Sequence, residues 1–159
     1  MKKIVCLIFT IAFFMPACKK YPEGPTFSLR SPSQRIIGEW NLNYYKINGI
    51  DSLNKFLNYT VLPGMDLNDP GISDKSGYLI RGGVDTANYV SNIGLYELKN
   101  RKTELVLTTN KIVNYLNLTG PLMSTSSITY KILRLKKKEL WLQTDYNGAS
   151  YELHYEKGN

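Results

Sequence analysis

Cysteine is nearly absent: the 159-residue chain has two, Cys6 and Cys18, and none follows position 18. The body of the protein therefore has no disulfide framework, no thiol nucleophile and no thiolate metal site. Histidine is rarer still, with His154 alone, and a single imidazole offers no H-x-H or H-E-x-x-H spacing. Asp66, Asn68, Asp69 and Asp74 crowd one stretch, but Pro70 stands where the next calcium ligand belongs and no Glu closes the set. Turn chemistry explains that cluster, so no metal is expected. G-x-S-x-G and a glycine-rich phosphate cradle are also missing, and no motif supplies the paired groups that acid–base or nucleophilic catalysis needs. The residues point away from an enzyme and call for no cofactor. The longest apolar run, Ile4 to Met15, falls short of the about 20 residues that cross a hydrocarbon core. Acidic residues are outnumbered, 13 against 20 basic, for a net charge of +7.

What is present begins with Met15-Pro16-Ala17-Cys18, which closes a segment opened by Lys2 and Lys3. A positive start, a short apolar stretch, a small residue and then cysteine resemble a bacterial lipoprotein signal peptide. The resemblance implies a signal peptide over 1–17, cleavage before Cys18 and lipidation of Cys18, which would tie the protein to a membrane through its acyl chains. The family usually has Leu at the Met15 position and a small residue at the Pro16 position. Ordinary secretion and a retained anchor are the rival readings; Ala17 supplies half of an A-x-A-like site. Losing Lys2 and Lys3 lowers the charge from +7 to +5, which favours anionic head groups or acidic glycans as partners. The basic residues form no stripe interleaved with aromatics on a recognisable module, so nucleic acid is not expected. The densest basic run, Arg134 to Lys138, reads as a hairpin turn with solvated lysines.

Residues 18–35, with Pro22, Gly24, Pro25 and Pro32, suit no regular element and predict a flexible acylated tether. Fully extended, about 17 such residues at about 3.1 Å each would span about 50 Å. The folded domain is expected over 36–159, about the size of one domain. Gly38, Trp40, Leu42 and Tyr44 alternate with Glu39, Asn41, Asn43 and Tyr45, a half-buried strand that Asn48-Gly49 ends. Leu53, Phe56 and Leu57 at i, i+3 and i+4 predict one or two helical turns, with Asp51 as cap. Pro63 to Ser76 reads as a long loop. Strands are expected over 77–81, 87–98, 104–109, 126–135, 139–145 and 149–156, and 112–118 is ambiguous between strand and helix. Asn147-Gly148 is a strong hairpin signal. An all-β class follows, as an antiparallel up-and-down barrel or a sandwich.

Gly38-Glu39-Trp40 at the head of the first strand resembles the G-x-W signature of lipocalins. With the Pro/Gly stretch and the closing runs 130–135, 139–142 and 151–153, the chain is similar to lipocalin-like lipoproteins of Bacteroidota. The resemblance implies an up-and-down lipocalin-like barrel of about eight strands, with a short helix after the first strand. It implies that Trp40 plugs one end beside Gly38, under a C-terminal arginine. The last strand has no arginine, so Arg134 is the candidate to cover Trp40, worth about 0.5 to 2 kcal/mol. Tyr44, Tyr96, Tyr130, Tyr151 and Tyr155 fall on expected inward faces. They either line a ligand pocket or fill a small barrel. The expected role is non-catalytic: binding a small apolar or amphipathic, lipophilic ligand. The alternative is an accessory subunit with a filled barrel, docked onto another envelope protein. The expected location is the outer membrane of the cell envelope. Lys19 and Lys20 favour its periplasmic face, since surface-exported lipoproteins of this phylum often carry acidic residues there. The sequons at Asn58 and Asn117 read as coincidence in such a protein.

Overall fold

The computed structural model describes residues 20–24, 28–56, 58–68 and 76–158. Cys18, the signal segment, Asp69 and Asp74 lie outside them. The strands are β1 (Gly38–Ile47), β2 (Ile50–Asp51), β3 (Val61–Leu67), β4 (Ser76–Gly83), β5 (Tyr89–Lys99), β6 (Glu104–Asn114), β7 (Ile128–Leu135), β8 (Glu139–Tyr146) and β9 (Ala149–Lys157). From β3 onward each is antiparallel to the next; β1 pairs with β3 on one side and with β9 on the other. Trp40 opposite Lys157 and Ile47 opposite Tyr151 mark that seam, which closes eight strands into a barrel with β2 as a two-residue extension of the first hairpin. We call the end where β1 starts the base and the opposite end the rim. Asn48 and Gly49 (φ 49° and 82°) and Asn147 and Gly148 (φ 49° and 77°) form two rim hairpins, as Asn-Gly pairs favour.

Local chemistry explains where the elements depart from expectation. Pro63 to Leu67 belong to β3, although this stretch reads as loop. Pro63 has no amide to donate, and it sits where the β3–β4 register slips between Val61 and Gly64. The ambiguous 112–118 stretch divides: β6 runs on to Asn114 after a slip opposite Ile93 and Gly94, then turns. The helical turn after the first strand is a single 3-10 turn, Leu53–Phe56, begun by Leu53 N–H donating to Asp51 Oδ1 at 3.0 Å.

The largest correction concerns 18–35. Its described part is not a free leash. Pro32–Ile36 form a short helix, α1, whose cap Ser31 accepts from Gln34 N–H while Gln34 returns a bond to the Ser31 amide. Proline in the first turn costs α1 nothing, because amides there have no helical partner. Residues 20–24 fill a gap in the wall. The β6–β7 ladder stops at Glu104 opposite Lys131, yet β7 continues to Leu135. Along that overhang Glu23 N–H donates to Leu133 O at 2.8 Å, and Arg134 Nε donates to Glu23 O at 2.9 Å. Tyr21 swings inward, 1% exposed, and its hydroxyl donates to Lys102 O at 2.9 Å. An aromatic residue three positions beyond Cys18 thus belongs to the core. The strap predicts a measurable stability loss: Tyr21→Ala should cost about 3 kcal/mol or more, the range for emptying an aromatic core site, by urea unfolding of a soluble form.

Candidate functional site

The barrel lumen is the first place to look, and it is filled. Trp40, Leu42, Tyr45, Met65, Leu67, Tyr78, Ile80, Tyr130, Ile132, Leu140, Leu142, Leu153 and Tyr155 are each 0–2% exposed. An eight-stranded barrel leaves room for side chains or one small ligand, and here side chains take it. At the base, the Trp40 indole N–H donates to Ile36 O at 2.7 Å, and Ile36 is fully buried beneath it. Gly38 (φ 126°) lets Lys157 fold across this end, since a Cβ there would sit 2.6 Å from Lys157 Cε. At the rim, Leu122 and Met123 of a 3-10 turn (Pro121–Met123) and Phe56 of the earlier turn are buried against the core. Both ends are plugged.

Among the described residues the polar groups inside are paired apart from the Tyr130 hydroxyl and, at the base, Arg35 Nε. Tyr78 Oη donates to Asn92 Oδ1 at 2.8 Å and lies 3.0 Å from Thr109 Oγ1. Asn92 Nδ2 donates to Leu122 O at 2.9 Å and Thr109 Oγ1 to Ser124 O at 2.8 Å, so this network holds the rim plug down. Gly94 admits the Tyr78 ring, because a Cβ there would lie 2.7 Å from Tyr78 Cε1. The Tyr130 hydroxyl is fully enclosed and has no hydrogen-bond partner among the described residues. Burial, with Tyr155 and Tyr45 nearby, pushes it well above its ordinary value. Burial does the same to Tyr155 and, with Tyr151 beside it, to Tyr45. Phenols raised this way stay neutral and inert, useful for packing and hydrogen bonds rather than proton transfer.

The predicted residues separate. Tyr130 and Tyr155 are in the lumen, and Tyr96 is 8% exposed with its hydroxyl donating to Asn68 O at 3.1 Å. Tyr151 is half-buried at the rim, 6.0 Å from the Tyr45 ring. Tyr44 faces outward. The β1–β9 register slips between Leu42 and Tyr44, so Tyr45 takes the inward place that strict alternation gives to Tyr44. Arg134 does not cover Trp40 either. A slip between Ile132 and Arg134 turns it outward, 4.0 Å above Trp141, and Lys157 Nζ stands 5.1 Å from the Trp40 ring instead. On the outer wall Trp141 and His154 stack at 4.0 Å and His154 meets Tyr44 at 4.5 Å, a ladder across β7, β8, β9 and β1 begun by Arg134. Strand alternation alone hides this ladder and the lumen place of Tyr45, because each depends on a bulge. Tyr78, by contrast, was signalled by its alternation with Ile80.

Two recesses open to solvent. One, of about 390 Å³ and with an almost wholly apolar surface, lies at the rim between β3, β4 and β5, lined by Val61, Gly82, Gly83, Tyr89 and Val90 together with Thr60, Arg81, Asp85 and Thr86. Val61 is 55% exposed there. The turn beside it is braced by Asp85, whose carboxylate accepts from the Asn88 side chain and from the amides of Asn88 and Ala87; these bonds hold it below its ordinary value. The other, a polar groove of about 680 Å³, runs outside the wall beside the strap, between Lys20, Pro22, Lys131 and Gln143. Among the described residues no three His, Cys, Asp or Glu side chains gather as a metal would require.

The sequence matches no family model and no curated protein. The structure is similar to the crystal structure of a lipocalin-like protein from Bacteroides uniformis, with a TM-score of 0.52 at 18% identity. The alignment covers 78% of this chain and 99% of that one. The barrel is therefore lipocalin-like in fold.

The lumen generates two predictions. Tyr130→Phe should be neutral or stabilising by about 1 kcal/mol, since it removes an unpaired buried hydroxyl, whereas Tyr78→Phe strands Asn92 and should cost about 1–3 kcal/mol; thermal unfolding of both variants checks the contrast. Folded phenol values above the unfolded value of about 10 mean stability is complete below about pH 10 and falls as pH rises towards the folded values. In an alkaline titration at 295 nm, the tyrosinate signal of Tyr45, Tyr130 and Tyr155 should appear only with loss of the near-ultraviolet circular dichroism of the fold.

Proposed function

We propose that this lipocalin-like protein is a lipid-anchored, non-catalytic envelope lipoprotein that takes up a small apolar or amphipathic ligand at its rim rather than in its lumen. The observation that carries this is the rim recess, the apolar opening bounded by Val61, Tyr89 and Val90 beside a lumen already filled. About 390 Å³ lies within the size range of small-molecule sites. Arg81 and Asp85 in its lining supply charges of both signs for a polar head group, and the rest of the lining supplies an apolar wall for the tail. Anchoring rests on the Met15-Pro16-Ala17-Cys18 motif, outer-membrane placement on the resemblance to Bacteroidota lipoproteins, and the periplasmic side on Lys19 and Lys20. The neutral, packed tyrosines support a binding role over a catalytic one.

A second reading has its own observation. The filled lumen and the outer ladder of Arg134, Trp141, His154 and Tyr44 suit a subunit that docks onto another envelope protein. Native mass spectrometry of protein from its own host separates the two. A rim binder carries extra mass of lipid size, and Val61→Glu, which charges the lining at an exposed position, removes that mass without lowering the melting temperature by more than a few degrees. An empty barrel that no fatty acid or detergent stabilises, copurifying with one stoichiometric protein, overturns ligand uptake in favour of docking. Anchoring has its own check: Cys18→Ser should abolish palmitate labelling and move the protein from the membrane to the soluble fraction.

A further inference from the structure

Cations collect at one end of this barrel. Of the three connections at the base, two are cationic, Asn100-Arg101-Lys102 between β5 and β6 and Lys136-Lys137-Lys138 between β7 and β8, while the sequence joining β3 to β4 carries Asp69, Asp74 and Lys75. The rim hairpins Asn48-Gly49 and Asn147-Gly148 carry no charge, and the turn between β4 and β5 carries Asp85. The strap brings Lys20 and Arg30 to the same end, and holds the first base hairpin directly: Tyr21 Oη bonds Lys102 O, and Lys102 Nζ donates to Ser33 Oγ at 2.8 Å. Asn100, Arg101 and Lys102 take three consecutive left-handed conformations (φ 46°, 53° and 67°), strained for side-chain-bearing residues. Among the described residues no ion pair reaches Lys20, Arg30, Arg101, Lys102, Lys137 or Lys138. Partial burial, then Lys102 and Arg35, lower the Lys20 ammonium; burial and Arg30 lower that of Lys157. Glu104 beside Asn100 and Glu139 against Arg134 and Lys136 are the nearby carboxylates among the described residues, and neither forms an ion pair with these six cations.

The chain reaches this end from Cys18. Cys18 is two steps along the chain from Lys20, a reach of about 7 Å at about 3.3–3.6 Å per residue, so acyl chains on Cys18 would enter the bilayer near the β5–β6 hairpin that Tyr21 holds. We propose that the base is a membrane-docking face: Lys20, Arg30, Arg101, Lys102, Lys137 and Lys138 rest on anionic lipid head groups and hold the rim away from the bilayer. This rests on the anchoring reading above. The partner is an anionic bilayer rather than a soluble polyanion, because the cations surround the point where the anchor must leave. Each cation at an anionic surface adds an increment of affinity that salt screens.

Two measurements test it separately from anchoring. With Cys18 acylated, a single cysteine introduced at Lys137 or at Asn147 is the only free thiol in the mature protein. On phosphatidylglycerol vesicles a fluorophore at Lys137→Cys should be several-fold less accessible to iodide than one at Asn147→Cys, and high salt or phosphatidylcholine vesicles should erase the difference. Flotation in the same sample reports the anchor. Protein that floats with both labels equally quenched retains the anchor and overturns the docking face; protein that fails to float loses the anchor. The mature Cys18→Ser protein should still bind phosphatidylglycerol vesicles in sedimentation, and Arg101→Glu with Lys137→Glu should weaken that at least about tenfold. Equal weak binding of parent and double variant, or equal binding to heparin and vesicles, also overturns the proposal.

Discussion

The pairing of β1 with β9 is the constraint from which the rest of the molecule follows. Once eight strands close, every inward residue shares one narrow lumen, and no sheet edge remains between the first and last strands. The interior must then be filled by side chains or by one small ligand. Large residues at inward positions, among them Trp40, Tyr45, Tyr78, Tyr130 and Tyr155, settle that choice by occupying the space. Any ligand uptake, as proposed above, is thereby left to places where the wall is imperfect. The rim recess lies beside such a place, the slip that Pro63 introduces into β3, and the strap occupies another, the unpaired overhang of β7.

Elements with a clean period of two were legible in the sequence. Residues 128–132, 139–145 and 149–156 alternate without interruption, and their strands formed as read, because one buried face leaves register little freedom. The hairpins at Asn48-Gly49 and Asn147-Gly148 were legible for a local reason, since Asn and Gly tolerate positive φ where the turn requires it. Inward and outward assignment failed at the bulges of β1 and β7, while Tyr96 in β5 is buried as expected. One inserted residue reverses the faces, so Tyr44 and Arg134 emerged outside while Tyr45 turned in. A bulge of this kind is chosen by cross-strand packing and leaves no turn residue as a marker.

The stretch before Ile36 shows a different limit. Pro22, Gly24 and Pro32 rule out a long helix or a central strand, and among the described residues neither forms. Composition says nothing, however, about whether an irregular segment has a place to bind. Here it does, because β6 begins late and β7 ends late, which leaves Leu133 O and Leu135 O unpaired by the sheet. Glu23 N–H and the Arg35 guanidinium take those carbonyls. An unpaired buried acceptor costs about 1–3 kcal/mol, so a neighbouring chain segment carrying donors is drawn to that edge. Tyr21 then adds an aromatic side chain to the core.

The strap also changes what a lipid anchor can do. A free leash of about 50 Å would let the barrel tumble and would leave the membrane indifferent to the charges on its surface. A strap bonded to the wall from Tyr21 onward allows only about two residues of slack to Cys18, and its hydroxyl bond to Lys102 couples the anchor point to a cationic hairpin. Charge at a bilayer surface acts within about 10 Å, the Debye length, so under the proposed anchoring base cations held at that distance would feel the head groups and the distant rim would not. The proposed anchor would thereby give the two ends different surroundings. An apolar recess is useful only where ligand is free to enter, and under the proposed anchoring the rim is the end that would stay clear.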